Sequence, residues 1–379
     1  MLEADSIGER ALAALRLDNP NDTRTALQEL IEEAPNRLDL RHSLATTLVR
    51  MGEAKAGKIV AEDAIRMAKE AQTEAALTLI GQMYATHAAA CEELYQPNEA
   101  EHSYKTILLN EEGNPFALQG LAFLHFARGQ TDDGINYLRS YTEHGSDEPD
   151  AIAANQQFIE AIEQFIRQEE DPSVFIEAHR GSYCEMFDHY ETEMAKEGWI
   201  AEAARMKLDG DGKPTIPIVP EGAPDYAATR VDLVNPKTAQ PGRIGDQPMI
   251  VAYSGFEVLA QAPILFSKSG SPFKTLISSR APWNHLPIHI QMVSSGPEVI
   301  EDFIGDWYTA GYKGQFGTGS KGFFHEISPL EKVNDNSMVF YVDMGRASEG
   351  SIEDLLSRLS ILHEKNAIKT VVIGQGYLP

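Results

Sequence analysis

Four groups of side chains in this 379-residue chain are of types that do chemistry elsewhere, and their spacing decides what they can do here. His285 and His289 stand four apart, the interval that puts two imidazoles on one face of a helix for zinc. Pro287 and the β-branched Ile288 and Ile290 make that segment a strand instead. On a strand the two rings share a face but lie about 13 Å apart, too far for one ion. His325 is then the remaining third ligand and no cysteine stands near, so no metal ligand set is expected. Asp209-Gly210-Asp211-Gly212 opens like a calcium loop, but Lys213 replaces the third acidic ligand and no glutamate closes a twelve-residue span.

Gly317-Thr318-Gly319-Ser320-Lys321-Gly322 has the glycine spacing of a dinucleotide loop. That chemistry needs a helix N-terminus to meet the pyrophosphate, and Phe323 to Ile327 read as a strand. A glycine-rich β connection is the expectation, and no cofactor follows from it. Cys184 has His179 and His189 five residues to either side, an interval at which neither imidazole stacks over the thiol on a helix. Asp343 ends a strand with no paired carboxylate and no Ser-His-Asp set around it. These residues give no catalytic assignment. An enzyme remains the alternative, with His285, His289, Asp343 and Lys321 converging on one site of the C-terminal half.

The elements that must position these residues differ between the two halves. In the first, Gly52, Gly81 and Gly129 each stand among small and apolar residues at helical spacing. Around Gly52 the frame is Leu44, Ala45 and Leu48, then Gly57, Ala61 and Ala64. Around Gly81 it is Leu77, Ile80 and Tyr84, resuming after Gln96-Pro97-Asn98 with Ala100, Tyr104 and Ile107. Around Gly129 it is Leu118, Leu121, Ala122 and His125, then Gly134, Leu138 and Tyr141. A partial copy with Ala26, Leu30 and Pro35 precedes them. Over residues 10–150 these helix pairs resemble the tetratricopeptide repeat, although Arg41, Leu77 and Leu118 stand where a large aromatic is expected. The resemblance implies a helical array over 1–165 that binds a protein or peptide, with Arg41, Thr78 and Gln119 on the binding helices.

Beyond it, a charged stretch and a helix from Val174 to Leu208 suit a cap over 166–210. Residues 211–247, rich in proline and glycine, read as a linker with one strand, Thr229 to Val234. From 248 to 379 an α+β domain is predicted. Its strands are Met249–Tyr253, Glu257–Phe266, Phe273–Ser278, Leu286–Val293, Gly322–Ile327, Met338–Met344 and Lys369–Ile373, and its helices are Pro297–Ala310 and Ser351–Asn366. Two β-α-β units over 285–379 predict a ferredoxin-like sandwich. The order of elements from His285 through Ala310-Gly311-Tyr312 and Asp343 to Gly374–Tyr377 resembles the regulator of ribonuclease activity B family, which implies restraint of an enzyme by binding.

The formal charge is −25 and no segment offers the basic stripe with interleaved aromatics that binding a phosphate backbone requires, so direct nucleic-acid binding is not expected. No run of about 18 apolar residues spans a bilayer, and acidic Glu3, Asp5 and Glu9 do not suit a secretory leader. Two cysteines, one in each half, fit a reducing compartment. The sequence therefore predicts a bacterial-type cytoplasmic adaptor or regulator. Its array would take a protein segment, its C-terminal domain a second partner, and a homo-oligomer could form through the acidic repeat surface.

Overall fold

The structure is a computed structural model that describes residues 2–145, 148–196, 200–208, 214–220, 228–234, 241–242, 258–293, 297–317, 324–366 and 368–378. The chain divides into two compact units, residues 1–125 with 132–159, and residues 126–131 with 160–379. No described helix is long and apolar enough to cross a membrane.

The helical array contains α1 (Leu2–Ala14), α2 (Pro20–Glu33), α3 (Leu38–Arg50), α4 (Ala54–Ala71), α5 (Glu74–Glu93), α6 (Pro97–Asn110), α7 (Pro115–Phe126), α8 (Thr131–Ser140) and α9 (Pro149–Arg167). Local chemistry fixes their ends. Proline opens α2 and α6, where its missing N–H costs nothing. The Thr73 hydroxyl and the Asn114 side-chain oxygen accept from the N–H groups of Ala76 and Ala117 at the starts of α5 and α7. Gly52 and Gly129 follow α3 and α7 at φ +77° and +68°, the left-handed turn that glycine makes without strain. Gly81 is different. It lies inside α5, whose turn falls at Leu94 to Gln96, so the three glycines are not equivalent, and composition alone could not separate a helix-ending glycine from an interior one.

Helix α3 packs on both α4 and α5, and α5 on both α4 and α6, the nearest-neighbour pattern of paired helices. Leu27, Leu30, Leu40, Leu44 and Leu48 form one core over the first helices. Close approach of α4 to α3 depends on Gly57, because a Cβ there would lie 2.6 Å from Val49 Cγ2 and 3.0 Å from the Ala45 carbonyl oxygen. Gly57→Val is therefore expected to lower stability by about 1–3 kcal/mol through overpacking, read as a lower urea midpoint; an unchanged midpoint would show that the helix pair gives way freely.

In the second unit α10 (Ser173–Lys196) stops twelve residues short of the predicted helix, and Ile200–Leu208 is a strand, β1. It pairs antiparallel with β3 (Ala228–Val234), from Ile200 opposite Val234 to Met206 opposite Ala228, and with β2 (Pro214–Pro220). The alanine, arginine and methionine of β1 favour helix locally, and two strand partners outweigh that preference. With β4 (Pro241–Gly242) they form a sheet of order β2-β1-β3-β4, where a loop-like linker is expected from composition. The prolines of β2 fit because β2 is an edge strand and need not donate on its outer side.

The second sheet has the order β5-β6-β11-β7-β10-β8, with β9 also on β10. Its strands are β5 (Leu265–Lys268), β6 (Lys274–Ser278), β7 (Leu286–Met292), β8 (Glu326–Ile327), β9 (Glu331–Asn334), β10 (Ser337–Asp343) and β11 (Ile368–Ile373). Between them run α11 (Pro297–Tyr312) and α12 (Gly350–Asn366). The β7, β10, α11, α12 and β11 segments match the predicted elements to within two residues. Glu257–Phe266 is no single strand: Leu259–Gln261 is a short 3-10 turn, Pro263 has no N–H to offer a ladder, and strand pairing begins at Leu265. The predicted strand Met249–Tyr253 lies outside the described residues.

Strand β7 pairs antiparallel with β10 and β11, β10 with β8, and β11 parallel with β6. Leu286, Ile288, Ile290 and Met292 from one face of β7 join Ile176 and Tyr183 of α10, Ile300, Ile304 and Trp307 of α11, and Ile352, Leu355, Leu359 and Leu362 of α12 in one core. Among the described residues both buried indoles are satisfied, Trp283 Nε1 donating to the Gly345 carbonyl and Trp307 Nε1 to that of Ser351.

Candidate functional site

Helices α3, α5 and α7 border a groove of about 400 Å3. One turn of helix separates His42 from Thr46 on α3, and Gln82 from Thr86 on α5, so each pair faces the same way. His42 Nε2 lies 3.1 Å from Thr86 Oγ1, and Thr46 Oγ1 lies 3.1 Å from the same hydroxyl. Thr46 Oγ1 is also 3.0 Å from the His42 carbonyl oxygen of its own helix, to which it can donate. This hydrogen-bonded set ties α3 to α5 and sets the groove's polar side. Burial pulls the His42 imidazole below its ordinary pKa, so the ring is neutral at physiological pH.

Small residues form the floor, Gly81, Ala85 and Ala89, with Ile107 beside them, and Gln82 stands exposed at the rim. Phe116 at the start of α7 is half exposed, its ring 5.8 Å from that of Tyr104. Asn114 also lines the groove, its oxygen capping α7 and its amide donating to Glu111. The lining therefore carries no formal charge. A largely apolar trough with a few neutral donors and acceptors suits peptide backbone and uncharged side chains.

The residues expected to bind lie around this groove rather than in its lining. Arg41 points its guanidinium at Asp63 of α4, 3.1 Å away, and at the Pro35 carbonyl. Thr78 is exposed one turn before Gly81, its hydroxyl donating to the Glu74 carbonyl. Gln119 is half buried on α7. The lining residues His42, Thr46, Gln82 and Thr86 were missed. Their signal is a four-residue spacing of neutral polar side chains on alternate helices.

In the second unit Asp343 meets a different histidine from those expected. His325 Nδ1 lies 3.5 Å from Asp343 Oδ2 and 3.4 Å from the Tyr183 hydroxyl, and the two backbones are joined by His325 N–H donating to the Asp343 carbonyl. Burial first, and then the Asp343 charge, push the Tyr183 phenol well above its ordinary pKa, so it stays protonated. Asp343 Oδ1 accepts from Gly345 N–H. Nearby, Arg180 Nε donates to the Ala347 carbonyl, and Arg346 pairs with Asp188. These contacts fasten α10 to the chain that leaves β10.

His285 stacks on Tyr341 with ring centroids 4.5 Å apart. His289 lies inside β7, opposite Val339 and Val372, where burial lowers its pKa to about 4. The β7/β10 register sets Asp343 four positions from the partner of His289, about 13 Å along the strand, so these two do not meet. Lys321 lies outside the described residues.

No family model and no curated protein matches this chain. Among solved structures it is similar to a thermophilic tetratricopeptide-repeat protein of Thermus thermophilus, at 20% identity and a TM-score of 0.31. That similarity covers 39% of this chain and 76% of the other.

Proposed function

We propose that this protein is an interaction adaptor or regulator whose tetratricopeptide-like array takes an extended, uncharged peptide segment into the groove between α3, α5 and α7. The observation that carries this reading is the uncharged groove with Phe116 exposed at its edge, where a half-exposed aromatic beside small residues is a ready anchor for a partner. The C-terminal α+β domain engages a second partner. The all-antiparallel order β11-β7-β10-β8, with α11 and α12 in one core, supports a ferredoxin-like reading of 285–379. Cytoplasmic residence is part of the same proposal.

The test places a photo-crosslinking amino acid at Gln82 of the full chain and identifies the adducts made in cell lysate. A defined peptide segment is expected, and Phe116→Ala is expected to weaken its binding about tenfold, measured with the synthetic segment. Adducts spread over many unrelated proteins, or binding indifferent to Phe116→Ala, would count against the groove; adducts with the same chain would turn the proposal to self-assembly.

An enzyme is the second reading, and the Tyr183, His325 and Asp343 grouping is what favours it. The adaptor reading stands ahead because Tyr183 holds its proton and Asp343 is engaged by Gly345, a set that joins elements more readily than it attacks a substrate.

A further inference from the structure

We propose that His87, Cys91 and Glu99 form a binding site for a divalent transition metal, with Zn2+ the ion best matched to the donors, on the side of the array formed by α4, α5 and α6. His87 and Cys91 stand four apart on α5 and share one face, and Glu99 comes from the first turn of α6. One donor atom from each lies within 4.8 Å of the others. Cys91 Sγ is 3.6 Å from His87 Nδ1 and 3.8 Å from Nε2, and Glu62 Oε1 of α4 is 3.4 Å from Nε2. A tetrahedral zinc ion with ordinary Zn–N, Zn–O and Zn–S bonds separates its ligands by about 3.3–3.7 Å. The Cys91–His87 separation is close to these values, and the 4.8 Å span of the whole set means that side-chain rotations must draw Glu99 and the sulfur inward as the ion binds.

Hydrogen bonds hold His87 on both ring nitrogens. The Ser103 hydroxyl can donate its one proton to the Glu99 carbonyl, 3.1 Å away. The same hydroxyl lies 2.8 Å from His87 Nδ1, and when its proton goes to Glu99 the imidazole proton sits on Nδ1, the tautomer whose Nε2 lone pair can bind a metal. In the metal-free protein the other tautomer lets His87 Nε2–H donate to Glu62 Oε1 at 3.4 Å, and a bound ion would take that proton's place.

A cavity of about 430 Å3 lined by Glu62, Tyr84, His87 and His102 among others adjoins the site on the His87 side. A thiol, an imidazole and carboxylates together favour zinc or cobalt over calcium or magnesium, which prefer oxygen alone.

Without a metal, Lys58 supplies the positive charge, its Nζ 2.6 Å from Glu99 Oε2 and 2.7 Å from Gln96 Oε1. Binding displaces that ammonium from Glu99. The buried Cys91 thiol gives its proton to solvent as the sulfur–metal bond forms, so charge and atoms balance.

The experiment strips the full-length protein with a chelator and titrates it with Co2+. One ion per chain is expected, with a thiolate-to-cobalt charge-transfer band that Zn2+ abolishes by displacement. The band should vanish in Cys91→Ser and persist in Cys184→Ser. Glu99→Gln, at an exposed position, should weaken binding about tenfold or more with the band retained. Lys58→Met should tighten it, an outcome that a merely structural lysine would not give. Absence of the band in the unaltered protein, or its survival in Cys91→Ser, overturns the proposal. If circular dichroism shows Cys91→Ser unfolded, unchanged affinity in both Glu99→Gln and Lys58→Met overturns it instead.

Discussion

Between pH 6.5 and pH 4 the C-terminal unit is expected to lose most of its stability, because two of its histidines are buried as neutral rings. Burial lowers both His179 and His289 from about 6.5 to about 4, with the nearby Arg280 charge adding to the effect on His179. The unfolded chain binds a proton at each site once the pH falls below 6.5, whereas the folded chain does so only near 4. Stability is therefore fully present above pH 6.5 and is lost as the pH falls toward 4, by about 3 kcal/mol for each histidine at the lower limit. Such a loss is a large part of what a domain of this size has to spare.

The geometry at His179 gives a local reason. Ala281 N–H donates to His179 Nε2 at 2.9 Å, a bond that needs the lone pair and breaks when that nitrogen is protonated. His289 lies within the sheet, where an added charge would have to be desolvated. Urea unfolding followed at pH 7 and pH 4.5 should show a much lower midpoint in acid. His289→Leu should remove roughly half of that pH sensitivity. An acid midpoint equal to that at neutrality would show that the two rings titrate normally in the folded state.

How legible this fold is in sequence depends on which interactions set each element. Helices α3 to α8 are visible because capping residues, prolines and apolar periodicity act within a few residues of one another. Strands β7, β10 and β11 are visible because Leu286, Ile288 and Ile290, like Val371 and Ile373, alternate toward one core. Strand β1 was not, since Ala201, Ala203 and Ala204 favour helix and become a strand only through partners about ten and thirty residues away. The candidate sites follow the same division. A pattern such as His87 with Cys91 is readable once the helix is known, but Glu62 and Glu99 join it only through packing of α4, α5 and α6. Likewise Asp343 could be picked out as a strand-end carboxylate, whereas its partners His325 and Tyr183 are 18 and 160 residues away and are brought in by sheet pairing and by α10.

Gly81→Arg is expected to separate stability from binding by moving them in opposite directions. A Cβ at Gly81 meets nothing within 4 Å, so a side chain can leave the helix there without disturbing its packing at the root. It also removes glycine from the interior of α5, where its backbone freedom costs about 0.5–1 kcal/mol relative to alanine, so the melting temperature should rise slightly. The same side chain must leave the helix into the groove that Gly81 lines, bringing bulk and a charge into a trough whose lining has none. Loss of peptide affinity of about a hundredfold, near 3 kcal/mol, is the expected result. Gly81→Ala supplies the comparison: it should share the gain in stability and keep most of the affinity, because one methyl group leaves the groove open. If Gly81→Arg raises the melting temperature and binds the crosslinked segment as well as the unaltered protein does, the ligand lies elsewhere on the array. A partner lost together with the helical circular dichroism would instead place Gly81 in the packing of α5, against the open surroundings of its Cα.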